Sequence, residues 1–568
     1  MRIWIESSYK NVFQDALCNS WSDFEAELTM AQNERESFQI LMRADQNFII
    51  RSVIFSDLKS AGGNIIKGEN LSYGFVEYEY LSRNSKETEE KAWVRKAPGY
   101  FPDPISNSRS ISVNPKVTQP IWVTLYTPKD TIPDTYEGEI KINTSLGEFF
   151  VNIKAEVCPV IIPDACESKF KFIIWQQILS TTIYREYGYE KYTKEWWEVV
   201  SDIADKMAEN RINDLYVSTQ NLLLDGGTYI DENGNYVFNW SKFDEYIEFF
   251  RKRKIFKILI GDHLTSCDYR TLTHPLVLIK PDENGKLVVD IERDWANETS
   301  VHWLNEFLPA LEKHLEELGV IDIWYQHIGD ECFTEEQMRN YIFLCKKMQE
   351  LCPKIKYGDA VMDVKHADEQ VNLGVKFLAP LEDSFEKDIE YYKAKRAEGI
   401  EMFPYSCCGP IGDWFKSFID LPCYMIRSFI WRIFSTGSDG YLLWSLNYWN
   451  NCALGENDNL KIDETEFKGD EMLIHPDPYS NKVKSSIRLN NIRDGAEEFE
   501  LLSILKEKDP EYALSLAEKI VKHCNGNYLR DTKQMAEIRK ELIFAASGKI
   551  NSDKKAIIDE RVLAGKID

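Results

Sequence analysis

The chain has 568 residues, of which 43% are hydrophobic and 28% charged. This length and balance predict two or three folded domains with large cores and exclude wholesale disorder. The 93 acidic residues outnumber the 68 basic ones, giving a net charge of −25. Because so acidic a surface repels phosphates and anionic lipids, and no stretch reaches the roughly 18–20 apolar residues of a membrane span, we expect no nucleic-acid partner and no membrane insertion.

The N-terminal region predicts an all-β domain. Polar residues interrupt the first six positions before an apolar signal-peptide core can form, so we expect a cytoplasmic location. Residues 1–160 contain short alternating runs between turn residues, which is typical of a β-sandwich. The clearest runs are 37–42, 119–126 and 137–142. Residues 159–163, with a proline at each end, are predicted to be a linker.

Residues 165–480 alternate between apolar runs and helix-period segments, which predicts a (β/α)8 TIM barrel. The eight predicted strands are 170–175, 212–218, 255–261, 320–327, 355–361, 375–381, 400–406 and 440–445. Asp-Glu-Asn-Gly occurs at 231–234 and at 282–285 between apolar runs, so both segments are predicted to be hairpin turns inserted into barrel loops.

The C-terminal segment, residues 481–568, is predicted to be helical and to pack against the barrel. Its three predicted helices are 485–508, 510–523 and 533–546. The predicted fold class is therefore a multidomain α and β protein with a β-sandwich, a barrel and C-terminal helices.

The twelve cysteines and eight histidines suggest no bound group. They contain neither a C-x-x-C pair nor H-E-x-x-H, so we expect no metal and no cofactor. The adjacent Cys407 and Cys408 could form a metal or redox site, although two buried thiols at a strand end are the favoured interpretation. Phosphate-loop, dinucleotide and G-x-S-x-G motifs are also absent, which disfavours nucleotide enzymes and serine esterases.

The end of the fourth predicted strand carries the strongest chemical signal. Asp330 and Glu331 follow it directly, after Gly329, and barrel active sites form at the carboxyl ends of strands. We expect the flexible Gly329 to interrupt the alternation of side chains along the strand, so that both carboxylates face one cleft. Two adjacent acids in a half-buried cleft cannot both ionise cheaply, and a neutral acid beside an anion suits glycoside hydrolysis. The alternative is a solvated loop beside the helix that Thr334 caps.

Aromatic and polar residues near other strand ends are candidates for sugar contacts, because aromatic faces stack on sugar rings. For each of them core packing is the alternative. Asp359 could instead be a hydrogen-bond partner inside the barrel. The candidates are Trp175, His263, His327, Tyr405, Trp444 and Asn447.

The stretch from His327 to Glu331 is similar to the Asp-Glu motif of hexosaminidases that use the substrate's own acetamido group. The whole chain resembles glycoside hydrolase family 123, the β-N-acetylgalactosaminidases, which carry a β-sandwich ahead of a barrel. One glycine precedes the pair where hexosaminidase family 20 usually has two, which favours family 123. Further matches are 33–39, 119–123 with 138–139, 440–444, Arg488, and 492–495 with Glu497 and Glu498.

The resemblance implies a retaining exo-glycosidase that removes terminal β-linked N-acetylgalactosamine from glycans. It implies that Asp330 orients the 2-acetamido group as it attacks the anomeric carbon to give an oxazoline. It also implies that Glu331 protonates the departing oxygen and then activates water. Two alternatives stay open: a conventional retaining glycosidase with Glu331 as acid/base and Glu382 or Asp383 as nucleophile, and a glycan-binding barrel without activity.

Overall fold

The computed structural model describes residues 1–18, 24–266, 273–449 and 462–550. These residues form two compact units. The first unit comprises residues 1–164, 411–435 and 447–568, and the second comprises 165–410 and 436–446.

The N-terminal part of the first unit consists of β-strands. They are β1 (Arg2–Ser7), β2 (Glu25–Gln32), β3 (Glu34–Arg43), β4 (Phe48–Phe55), β5 (Leu58–Ser60), β6 (Ile65–Ile66), β7 (Leu71–Leu81), β8 (Gly99–Ser106), β9 (Ile111–Val113), β10 (Thr118–Thr127), β11 (Thr135–Thr144) and β12 (Gly147–Ile161). One sheet pairs β1-β3-β10-β7-β8, and the other pairs β2-β12-β11-β4-β9. Apolar residues from both sheets, among them Phe38, Ile121, Ile140 and Val151, form one shared core.

The predicted linker at 159–163 is wrong in part, because β12 continues to Ile161. Pro159 has no N–H group to donate to a neighbouring strand, and prolines inside sheets occur at edges and bulges. The parallel pairing of β12 with β2 shifts register between Val157 and Ile161, so the proline lies in an irregular stretch of a continuous strand.

Parallel strands occur in the second unit at all eight predicted positions. They are β13 (Lys171–Ile174), β14 (Asp214–Val217), β17 (Ile258–Gly261), β20 (Trp324–His327), β21 (Lys356–Val361), β22 (Phe377–Pro380), β23 (Glu401–Met402) and β24 (Gly440–Leu443). Six of them pair in the order β14-β17-β20-β21-β22-β23, and β13 pairs with β24. Isolated bridges join Leu381 to Tyr405 and Tyr405 to Leu442.

All eight strands are shorter than predicted, and the two that lose most residues do so for local reasons. The residues before β20 form a 3-10 turn at Ile321–Ile323. The seventh strand ends at Met402, four residues early. Pro404 has no N–H to donate there, although its carbonyl still accepts a hydrogen bond from the Leu442 N–H at 3.3 Å.

Helices and hairpins connect the strands of the second unit. The helices are α1 (Thr182–Tyr187), α2 (Lys194–Glu209), α3 (Thr219–Gly226), α4 (Ser241–Arg251), α5 (Glu298–Glu317), α6 (Glu335–Leu351), α7 (Val364–Asn372), α8 (Glu382–Lys387) and α9 (Ile389–Ala397). Thr334 and Gln337 form a capping box at the start of α6. The two predicted hairpins are confirmed as β15 (Tyr229–Ile230) with β16 (Tyr236–Val237), and β18 (Leu276–Pro281) with β19 (Leu287–Glu292).

The C-terminal part returns to the first unit. Its elements are α10 (Met425–Thr436, whose last residue belongs to the second unit), β25 (His475–Asp477), β26 (Lys482–Ser486), α11 (Ile487–Lys508), α12 (Pro510–Ile520), β27 (Val521–His523), β28 (Asn527–Tyr528) and α13 (Thr532–Ala546). The three predicted helices are thus confirmed, while residues 551–568 lie outside the described part of the chain.

These helices were predicted to pack on the barrel, but the structure groups them with the N-terminal sheets, and residues 411–435 and 447–480 belong there too. Buried ion pairs explain this grouping. Arg488 of α11 binds Asp103 of β8 at 2.7 Å, and Arg539 of α13 binds Glu34 of β3 at 2.6 Å. Separating such buried pairs would leave uncompensated charges, so the helices stay with the sheets. Across the described residues, none of the helices combines the length and apolarity needed to cross a membrane.

Candidate active site

The carboxyl ends of the parallel strands in the second unit carry most of the predicted site residues. Since parallel strands end at the same edge of a sheet, side chains that follow them are brought together there. Trp175 follows β13, Asp262 and His263 follow β17, Asp330 and Glu331 come soon after β20, Glu382 follows β22, Tyr405 comes after β23 and Trp444 follows β24.

Asp330 and Glu331 lie half-buried in the turn between β20 and α6. The hydroxyl group of Tyr405 donates a hydrogen bond to the Glu331 carboxylate. Burial, the charge of Glu331 and, more weakly, the charge of Asp330 raise the pKa of Tyr405 well above its ordinary value. Tyr405 therefore stays protonated and acts as the hydrogen-bond donor to Glu331.

The backbone of this turn differs from the prediction. The residue with the left-handed conformation is Glu331, at φ 46°, not Gly329. Gly329 is needed for space, because a Cβ there would lie 3.1 Å from Thr265 Oγ1 and 3.2 Å from His274 Nδ1. A non-glycine residue with positive φ is strained, and such residues persist only where their surroundings hold them.

Asp359 of β21 holds the turn on its N-terminal side. Its carboxylate accepts hydrogen bonds from the Ile328 N–H at 3.0 Å, the Gly329 N–H at 3.1 Å and His327 Nδ1 at 3.0 Å. Asp359 and His327 are fully buried. Burial raises the pKa of Asp359, while His327 and the two N–H groups oppose this rise. The predicted internal hydrogen-bond partner is thus attached to the segment that carries the acid pair.

His274 holds the turn on its C-terminal side. Its Nδ1 lies 3.4 Å from the Cys332 thiol, and its Nε2 lies 3.1 Å from the side-chain nitrogen of Gln337. Burial lowers the pKa of His274 to about 4, so the ring is neutral near neutral pH. The capping box of α6 is therefore connected to the turn that carries Asp330 and Glu331, a link that no sequence pattern indicated.

An aromatic wall lies beside the pair; Trp175 and His327 are its buried members, and Tyr216 and His263 are half-buried. The Trp175 and His263 ring centroids are 4.8 Å apart, and the His263 and His327 rings stack at 4.5 Å. Burial and the neighbouring His327 and His274 lower the pKa of His263 well below its ordinary value. Trp175 Nε1 and the Nε2 atoms of both stacked histidines are buried without a hydrogen bond in the described residues. Polar atoms of this kind call for a partner such as a sugar hydroxyl or water.

Tyr216 and Asp262 belong to this region and were not predicted. Burial, followed by the charges of Asp262 and Asp330, raises the pKa of Tyr216 well above its ordinary value. Burial raises the pKa of Asp262 to about 7, although Ser218 and the Thr219 N–H donate to its carboxylate. The position of Asp262 directly after a strand could have indicated it, because the same signal selected His263.

The remaining candidates are placed differently. Trp444 is half-buried and packs against the cluster that contains Trp175 and Tyr405. Asn447 falls in the first unit, where its backbone pairs with Met472, so its contact with substrate stays a prediction. The thiols of Cys407 and Cys408 lie 3.8 Å apart and are half-buried, more exposed than expected.

Three side chains with potential metal-ligating atoms lie close enough together to bind one metal ion. Donor atoms of His263, His327 and Asp359 all lie within 4.8 Å of one another. The Asp359 oxygens, however, already accept the three N–H bonds that hold the turn. An ion would compete with these donors for the carboxylate oxygens, which favours a positioning role for this donor set.

A β-rich N-terminal region and a parallel α/β unit with paired carboxylates at its strand ends define a class of carbohydrate-active enzymes. Residues 175–505 match the model of the glycoside hydrolase 123 catalytic domain, and residues 16–144 match that of the glycoside hydrolase 123 N-terminal domain. The chain belongs to glycoside hydrolase family 123.

Among solved structures, the chain is similar to a family 123 glycoside hydrolase from Clostridium perfringens, studied for glycolipid glycan hydrolysis. The two share 16% identity at a TM-score of 0.71, covering 98% of this chain and 99% of that one, which shows a common fold. A family 10 xylanase with a bacterial Ig-like domain, from termite gut, reaches a TM-score of 0.34 at 9% identity over 84% of this chain and 100% of that one. No curated protein matches the sequence.

Proposed function

We propose that this glycoside hydrolase is a retaining exo-β-N-acetylgalactosaminidase that uses substrate-assisted catalysis. The observation that carries the proposal is the half-buried pair Asp330 and Glu331 at a strand end, with Glu331 bound by the Tyr405 hydroxyl. We propose terminal β-linked N-acetylgalactosamine on glycolipid glycans as the substrate, since the Clostridium perfringens relative was studied for glycolipid glycan hydrolysis.

We also propose that the eight parallel strands close into a (β/α)8 barrel behind an N-terminal β-sandwich. Tyr405 bridges to both Leu381 and Leu442, which links the sixth and eighth strands through the seventh. The Asn213 side chain, just before β14, accepts a hydrogen bond from the Phe172 N–H of β13 at 2.8 Å. Lys171 of β13 binds Glu401 of β23 at 2.6 Å, as an interior ion pair would in a closed barrel.

In the proposed reaction, the acetamido oxygen of the substrate attacks the anomeric carbon while Asp330 orients and stabilises that group. The bond to the leaving oxygen breaks as Glu331 gives it a proton, and an oxazolinium ion forms that keeps the amide proton and whose positive charge Asp330 stabilises. Water then attacks the same carbon, Glu331 takes its proton, and the acetamido group is restored with net retention. This is the substrate-assisted exception to the usual pair of acid and nucleophile.

The surrounding side chains support this assignment. An acetamide methyl and a sugar ring need apolar surface, which Trp175 and Trp444 offer in one cluster. The neutral His263 and the Trp175 Nε1 atom of the aromatic wall can bind sugar hydroxyls. His327 is fully buried, so we propose that it orients neighbouring groups and does not contact the sugar.

A conventional retaining mechanism is the second candidate, because a buried carboxylate, Glu382, follows β22. Its backbone N–H donates to the Tyr405 carbonyl at 3.0 Å, so it belongs to the same group of strand ends. That enzyme would need no acetamido group on its substrate.

The test uses three aryl glycosides with the same leaving group: N-acetyl-β-galactosaminide, N-acetyl-β-glucosaminide and plain β-galactoside. Cleavage of the N-acetyl-β-galactosaminide well above that of the plain β-galactoside supports substrate assistance. The ratio of its cleavage rate to that of the N-acetyl-β-glucosaminide measures the preference for the galacto configuration. Preferential cleavage of the plain galactoside would replace the proposal with the conventional mechanism. Binding of N-acetylgalactosamine without turnover of any substrate would make the protein a glycan-binding module.

A further inference from the structure

The carboxylate of Asp359 lies inside the parallel sheet, yet it bonds to the turn that carries the acid pair. The register of β20 and β21 sets His327 opposite Gly358. Asp359, the next residue of β21, therefore lies beside the residues that directly follow β20. There the Asp359 carboxylate accepts the N–H groups of Ile328 and Gly329, at 3.0 and 3.1 Å. Two consecutive backbone groups before the pair are thus fixed by one side chain.

The turn needs such an anchor because Glu331 adopts a left-handed conformation at φ 46°. A residue of this kind relaxes unless the chain on both sides is held. Asp359 holds the N-terminal side, and the contact between His274 and Cys332 holds the C-terminal side. If the N-terminal anchor is lost, the turn can relax and the Glu331 carboxylate moves away from its position beside Tyr405.

Asp359 also determines which nitrogen of His327 carries a proton. With His327 Nδ1 at 3.0 Å from the carboxylate, the tautomer that fits this contact carries its proton on Nδ1 and has Nε2 as an acceptor. That atom is buried and has no hydrogen bond in the described residues.

We propose that Asp359 is a positioning residue, which aims the Glu331 carboxylate through the Ile328–Gly329 backbone and fixes the His327 tautomer. The inference rests on the proposed function, in which Glu331 is the proton donor. Asp359 is fully buried, so in this proposal it acts through these groups and not on the substrate itself.

The test compares Asp359→Asn with Asp214→Asn. Asparagine keeps the size of the side chain, but its NH2 group is a donor that would face one of the three N–H groups bound by Asp359. Asp214 is an equally buried carboxyl of β14 that accepts from the Gln176 side chain at 3.1 Å and has no bond to the turn. Asp214→Asn therefore controls for placing an amide in the interior of the same unit.

We expect Asp359→Asn to lower kcat roughly 10- to 100-fold with little change in KM, because a displacement of about 1 Å costs about 100-fold. The loss should grow across a series of aryl glycosides with increasingly poor leaving groups, since those depend most on a well-aimed acid. Asp214→Asn should show no such trend. Wild-type kcat in Asp359→Asn, or a loss independent of the leaving group, would overturn the proposal.

Failure of the proposed function gives a different pattern. If wild type prefers plain β-galactosides, the same series is run on those, because Glu331 is the acid in that mechanism too. If wild type cleaves no glycoside, or Asp359→Asn does not fold, ¹⁵N NMR of His327 in wild type decides. An Nδ1–H tautomer is expected, and an Nε2–H tautomer would refute the positioning role.

Discussion

Tyr405→Phe tests the contact on which the assignment of the site depends. The substitution removes one hydroxyl group and keeps the aromatic ring, which packs in the cluster with Trp175 and Leu442. What is lost is the hydrogen bond from Tyr405 to the Glu331 carboxylate. A hydrogen bond to a charged group contributes about 1.5–3 kcal/mol.

At about 1.4 kcal/mol for each factor of ten, this loss corresponds to a decrease of about 10- to 150-fold in kcat/KM. The assay is steady-state cleavage of an aryl N-acetyl-β-galactosaminide by both forms. Its matched control is Tyr325→Phe, because the Tyr325 hydroxyl also donates to a glutamate, Glu401, at 2.9 Å. Tyr325 lies in β20 itself, and its bond to Glu401 does not involve the turn with the acid pair.

We expect Tyr325→Phe to alter thermal stability more than turnover, and Tyr405→Phe to do the reverse. If Tyr405→Phe has wild-type kcat/KM, the hydroxyl group does not support the acid, and the reasoning that places Glu331 in that role fails. Equal losses in both variants would attribute the effect to packing of the parallel strands.

Three further predictions concern carboxylates near the strand ends. Glu331→Gln should abolish most cleavage of substrates with poor leaving groups, by about 10²–10⁴-fold, and harm activated aryl substrates less; equal losses would count against Glu331 as the acid. Asp330→Asn should lower turnover by about 10²–10³-fold and weaken inhibition by a thiazoline mimic of the oxazoline in parallel; unchanged turnover would exclude substrate assistance. Asp262→Asn should stabilise the protein at pH 8 but not at pH 4, because the folded-state pKa of Asp262, about 7, lies above the ordinary value of 3.8. Folding therefore disfavours the ionised carboxylate, and the resulting destabilisation of the wild-type protein grows as pH rises from 4 to 7. It reaches at most about 4 kcal/mol, and solvent screening of the partly exposed group reduces it. Melting temperatures of the wild type and of Asp262→Asn between pH 4 and pH 8 test this prediction. A difference between the two proteins that does not change with pH would contradict it.

The sequence predicted the parallel strands well because each is an apolar run between recognisable helix ends. The capping box at Thr334 and the turn glycine at 319 delimit the fourth strand, and hairpin turns delimit the inserted segments. The end of a strand in such a unit is a functional position whatever the loop sequence, so Asp330 and Glu331 could be selected before any contact was known.

The supporting contacts of the site could not be predicted in the same way. Asp359 meets the turn only because of the register between β20 and β21, which depends on pairing across the sheet. The left-handed conformation of Glu331 has no local signal, since glutamate is not a residue that favours positive φ. His274 reaches Cys332 from another loop, a contact that neither spacing nor composition encodes.

The C-terminal helices illustrate a different limit. Helix α11 carries charged residues around its whole circumference, a pattern that indicates a solvated helix when only periodicity is considered. Several of these charges are buried in ion pairs instead, as between Arg427 of α10 and Asp494 of α11 at 3.0 Å. Buried pairing depends on partners far away in sequence, such as Glu36 beside Arg539 at 2.7 Å. The helical segments were therefore predictable, but the unit to which they belong was not.

Two adjacent carboxylates can serve different steps of one reaction only if the chain presents both to one cleft. In a regular strand, successive side chains point to opposite faces. The left-handed turn at Glu331 breaks this alternation, and the charges of both residues then act on the Tyr405 hydroxyl. Such a turn is unfavourable by itself, and Asp359 before it and His274 after it are the contacts that oppose its relaxation. The left-handed turn and the buried polar groups around it are thus parts of one arrangement, in which an unfavourable backbone conformation is held by contacts on both of its sides.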